Sequence, residues 1–77
     1  MATEVFPRIT VDAGIRFGKP CIAGTRIGVS DILDLFAHGA DRAEILEDFP
    51  SLTDGDITAA LAYSARMLEN KLAFAAE

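Results

Sequence analysis

The side chains that could carry bond chemistry in this 77-residue chain are one histidine, one cysteine and twelve carboxylates. His38 and Cys21 fall on different expected elements, and together they are short of the three or four ligands that zinc takes. Cys21 has cations nearby but no base at a motif spacing, so it does not read as an activated nucleophile. His38 precedes Gly39 at an expected helix C-terminus, where a partly charged imidazole suits the dipole. Asp31, Asp34, Glu44, Glu47 and Asp48 fall mostly on exposed helix faces, with no sign of a desolvated acid paired to a base. The chain reads as a non-enzyme with no metal and no cofactor.

Gly18-Lys19 followed by Gly24-Thr25 has the composition of a phosphate loop. The order is not that of a Walker loop, and Lys19 is followed by Pro20, so nucleotide binding is set aside. A mechanical role fits better. Gly18 and Gly24 permit positive φ and Pro20 stiffens the chain between them, holding Arg16, Lys19 and Arg26 at set positions. Residues 1–30 carry Arg8, Arg16, Lys19 and Arg26 against only Glu4 and Asp12. The remainder is strongly acidic, and the whole chain has a net charge of −5 with a pI near 4.6. A general nucleic-acid binder needs local positive potential, and here only the first part supplies it. Arg8, Arg16, Lys19 and Arg26 are therefore the candidate phosphate contacts; Lys19 alone reads somewhat better as a solvated edge charge, and Arg26 could instead pair with Asp12 or Asp31.

These residues need elements to hold them. The length sets a single domain, 1–77, in two parts. From about residue 8 to 29, short β-branched runs (Ile9-Thr10-Val11, Ile22 and Thr25 to Val29) are broken by Gly14, Gly18, Pro20 and Gly24, and predict short strands with tight turns. From 30 to 75 the pattern is helical. Ser30 reads as an N-cap with Asp31 beside it, and Gly39 as the end of a helix over about 30–38. Asp41 and Glu44 form a capping pattern for 41–49, which Pro50 stops. Thr53 and Asp56 repeat the pattern for a helix over 54–75. Its main stripe is Ile57, Leu61, Ser64/Ala65, Leu68 and Leu72. The expected fold is mainly α: a short N-terminal β segment, then a three-helix, helix-turn-helix-like bundle of the homeodomain or winged-helix kind. Leu52 should tuck under the second turn.

A DNA reading of that bundle would lay the start of the third helix in a major groove. That start offers Asp54, Gly55, Asp56, Thr58 and Ala59, with no arginine or lysine to meet phosphates or bases. Groove reading by this helix is not expected.

The runs Ile9 to Asp12, Ile15 to Ile27 and Val29 to Leu33, with Glu44 to Thr53 and Asp56-Ile57, resemble a small prokaryotic family, domain of unknown function 433. The likeness spans about residues 9–63, and its most specific part is the Gly18-Lys19-Pro20 to Gly24-Thr25-Arg26-Ile27 stretch. The resemblance implies a helix-turn-helix-type domain behind a β segment. It also implies an antitoxin encoded beside a PIN-domain-like ribonuclease toxin.

Three functions are carried forward: such an antitoxin, which binds its nuclease and contacts operator DNA; a free-standing DNA-binding regulator; and an interaction domain with no nucleic-acid role. With 51% apolar residues the chain has more apolar surface than a core of this size needs. A homodimer joined through the N-terminal strands is expected to hide Val5, Phe6, Ile9 and Val11. On the third helix Tyr63, Met67 and Phe74 form a second apolar stripe, the candidate surface for the nuclease partner, with the homodimer as its other use. With the nuclease as partner, Glu69 and Glu77 could approach the cations or metal of a ribonuclease site, mimicking phosphate. No run is long enough to span a bilayer, the first residues lack the pattern of a signal peptide, and one cysteine suits a reducing compartment. A cytoplasmic protein is expected.

Overall fold

A computed structural model describes the backbone of residues 1–75 and the side chains of residues 1–70. Strands β1 (Thr3–Phe6), β2 (Ile9–Val11) and β3 (Cys21–Ile22) precede helices α1 (Val29–Ala37), α2 (Arg42–Asp48) and α3 (Asp54–Ala75). The sheet is antiparallel in the order β1-β2-β3, with Glu4 opposite Thr10 and Ile9 opposite Ile22. The β1 strand lies outside the expected runs. It forms because Pro7-Arg8 make a two-residue turn that folds Phe6 back onto Ile9.

Of the run from Thr25 to Val29, expected as a strand, Thr25 to Gly28 is irregular and joined to the sheet by the single bridge between Gly28 and Cys21, while Val29 already opens α1. The Thr25 hydroxyl donates to the Ile22 carbonyl at 2.8 Å and accepts from the Ile27 N–H at 3.0 Å. That local bonding outcompetes a ladder.

The helices begin and end on side-chain chemistry. For α1 the cap is Gly28, not Ser30: its N–H donates to the Asp31 carboxylate at 3.0 Å, which places the cap two residues earlier and opens the helix at Val29. Its far end is a Schellman motif, with Gly39 at φ 97°, Ala40 N–H on the Leu35 carbonyl and Gly39 N–H on that of Phe36. Asp41 and Glu44 exchange bonds of 2.9 and 3.3 Å at the start of α2. Thr53 and Asp56 do the same at 3.2 and 3.0 Å before α3. Both capping boxes are as expected.

Ile9, Ile22, Ile32, Ile45 and Ile57 are the largest fully buried side chains, and Leu52 is buried with them beneath the α2–α3 turn. One isoleucine from each of β2, β3, α1, α2 and α3 thus forms the centre that ties the sheet to the helix-turn-helix. Along α3 the buried stripe includes Ile57 and Ala60, and Ser64 is half-buried with its hydroxyl donating to the Ala60 carbonyl. Leu68, expected on that stripe, is 60% exposed, and the side chain of Leu72 lies outside the described residues.

Candidate interaction surface

The basic residues of the first part do not gather into one patch. Arg8 has φ 71° in the β1–β2 turn and reaches across to the start of α3. There it donates to the Thr53 hydroxyl at 3.0 Å and the Asp56 carboxylate at 3.2 Å. Gly55 makes room for it: a Cβ there would stand 2.5 Å from the Arg8 Nη1. Arg42, on α2, donates to the Asp54 carboxylate at 2.7 Å and to the Thr58 hydroxyl at 3.0 Å. The α3 start, which lacks a basic residue in sequence, thus acquires two arginines in space, both bound to its carboxylates. Ala59, counted among its offered side chains, is buried.

Arg16 is the anchor of a different arrangement. Its guanidinium forms a two-pronged ion pair with Asp31, in the first turn of α1, and donates to the Arg26 carbonyl at 3.3 Å. Asp31 therefore pairs with Arg16, not with Arg26. The Asp12 carboxylate accepts the Gly14 N–H at 2.8 Å, which holds its pKa below the ordinary carboxylate value. Lys19 and Arg26 are exposed and have no ion-pair partner among the described residues.

Between Arg16 and Lys19 the chain makes a tight left-handed turn. Arg16, Phe17 and Gly18 have φ of 51°, 59° and 80°, closed by the Gly18 N–H on the Ile15 carbonyl at 3.1 Å. Left-handed backbone costs a residue with a Cβ about 1–2 kcal/mol. Phe17 gains no burial in return, since it is 98% exposed. Strained, exposed and aromatic, it is the side chain that composition alone gave no reason to single out. A positive-φ signal preceding Gly18 is absent from the sequence.

Beside this turn lies a groove of about 490 Å³, with Ile27, Leu35 and Phe49 as its apolar lining and Arg26, Asp34 and His38 among its polar residues. The Arg16–Asp31 pair forms one side. His38 is fixed there by its Nδ1, which must donate to the Asp34 carbonyl 2.7 Å away, because a carbonyl only accepts. This is the helix-terminal role expected of it. Cys21 is buried, its thiol donating to the Lys19 carbonyl at 3.4 Å. Among the described residues no group of three or more His, Cys, Asp or Glu side chains could hold a metal ion.

Of the stripe expected to meet a partner, Tyr63 packs edge-on against Phe6 within the molecule, with ring centroids 5.7 Å apart. Met67 is 43% exposed. The side chain of Phe74 and all of Glu77 lie outside the described residues. Among the described residues, the large apolar side chains exposed on α3 are Met67 and Leu68, and Glu69 is exposed next to them.

The model of a family described as protein of unknown function (DUF433) matches residues 9–64. A crystal structure of a DUF433 member protein from Anabaena variabilis is similar over 91% of this chain and 69% of that one, at 30% identity and a TM-score of 0.77. No curated protein matches.

Proposed function

We propose, from the premise that this chain belongs to the DUF433 family, that it is an antitoxin: a non-enzymatic protein that binds and neutralises a PIN-domain-like ribonuclease. The observation that carries this reading is the outer part of α3. Beyond Ser64 the helix leaves Met67 and Leu68 in water on a domain whose core is already complete without them. An apolar pair on a protruding helix is a surface of the kind that lies in a partner's groove. Methionine adds the adaptability useful against such a groove. Glu69, exposed next to them, would in this reading approach the cations of a ribonuclease site as a phosphate does.

Operator contact is the second role in this reading, favoured by the helix-turn-helix-like connection of α2 to α3. Its phosphate contacts would rest chiefly on Lys19 and Arg26, because Arg8 and Arg16 are engaged with Asp56 and Asp31. Groove reading by α3 is not part of it.

The test is co-expression with a PIN-domain-like nuclease from the neighbouring reading frame, where the gene has one, followed by capture and a ribonuclease assay. Met67→Glu combined with Leu68→Glu should leave the circular dichroism unchanged, abolish capture and release nuclease activity. Failure of the unsubstituted chain to bind that nuclease would end the antitoxin reading. Operator binding without nuclease binding would favour a free-standing regulator instead.

A further inference from the structure

The molecule displays a knob and a hole side by side. Phe17 stands almost wholly in solvent on the left-handed turn, and the Ile27–Leu35–Phe49 groove adjoins it through Arg16, which both precedes Phe17 and lines the groove. We propose that these form one self-complementary interface: in a two-fold homodimer, Phe17 of each copy seats in the groove of the other.

Several observations carry this occupant. An isologous contact requires both halves of the interface on one copy, and Arg16 links them, preceding Phe17 in the chain while lining the groove. The turn is held rigid by the Arg16–Asp31 pair, so little freedom is lost when its aromatic ring docks. Charge also matches. Lys19, two residues beyond Phe17, and Asp34, at the groove, each lack an ion partner among the described residues, and in the dimer Lys19 of one copy meets Asp34 of the other.

The strand edge is the weaker surface. Of the residues expected to be hidden by strand pairing, Ile9 is already fully buried and Phe6 packs on Tyr63. The β1 edge is four residues long, carries a register shift between Glu4 and Phe6, and presents Glu4. Short length, a bulge and a charge are the devices that discourage edge-to-edge pairing.

The experiment is sedimentation of the full chain across the micromolar range. A dimer is expected, and Phe17→Ala should raise its dissociation constant at least about 30-fold, as for a central aromatic anchor. Phe17 is so exposed that this variant should keep its fold, which circular dichroism checks. Lys19→Glu and Asp34→Lys should each weaken the dimer, and the two together should restore it. A chain that is monomeric throughout the range overturns the proposal. So does a dimer indifferent to Phe17→Ala, or one that dissociates with Val5→Pro alone. Failure of the double charge swap to restore association overturns the reciprocal placement.

Discussion

At Phe17 a local cost and a lack of local gain coincide, and stability should register it. Phe17→Gly removes about 1–2 kcal/mol of left-handed strain and adds about 0.5–1 kcal/mol of unfolded-state entropy. The monomer should therefore gain roughly 0.5–1 kcal/mol, the difference of those two terms, in urea unfolding at dilute concentration. A loss would mean that the ring is buried within its own chain. Asp12 offers a pH signature. The Gly14 N–H bond depresses its folded pKa below the unfolded value, so its contribution is present above the unfolded pKa and is lost as pH falls through the folded one. Its carboxyl carbon should titrate below the ordinary value of about 3.9 in an NMR pH series. Asp12→Asn keeps an acceptor for Gly14 and should remove this acid-side dependence of melting temperature.

The elements rest on caps and on a single buried turn residue. Asp41→Ala removes one half of the α2 capping box and should cost about 1 kcal/mol in chemical denaturation. Leu52→Ala empties the space beneath the α2–α3 turn, where the cost should be about 2–5 kcal/mol. An equal effect from the two substitutions would mean that Leu52 packs loosely and that the turn is held by its caps. On α3 the physics changes along the length: Ile57 and Ala60 are core, Ser64 is half-buried, and Met67 and Leu68 face water. Sequence periodicity continues unbroken through Leu68, so it could not locate where the neighbouring elements end.

For the whole molecule, a net charge of −5 means that any DNA binding must come from a few local cations and must fall steeply with salt. Arg26→Ala should flatten the log–log salt slope by about 0.9 if it makes one phosphate contact, and Lys19→Ala by less where the homodimer engages Lys19 with Asp34. Arg8→Ala should flatten it less, because that guanidinium already serves Asp56 and Thr53. A slope for Arg8→Ala equal to that for Arg26→Ala would mean that the Arg8–Asp56 pair opens on binding.

What the amino-acid order determined by itself was whatever is settled within a few residues along the chain. The Asp41–Glu44 and Thr53–Asp56 boxes, the Gly39 terminus, the stop at Pro50 and the burial of Leu52 were all legible, because each partner sits within one helical turn or in an adjacent tight turn. Short strands around Ile9 and Ile22 were legible for the same reason, while the Thr25 hydroxyl turned an apparent third strand into a turn. The candidate surface was not legible in this way. Arg8 and Asp56 are 48 positions apart, and only the folding of the β1–β2 turn onto α3 brings them together. Arg16 and Arg26 looked alike as arginines near Asp31, and tertiary packing gave the carboxylate to Arg16. Tyr63 and Met67 share a face by spacing, yet Phe6 packs on the first while the second stays 43% exposed. Capping and turn energies act through neighbouring backbone groups and so are written in local order; ion-pair choice and solvent exposure depend on which distant elements arrive, and only the packed chain decides that.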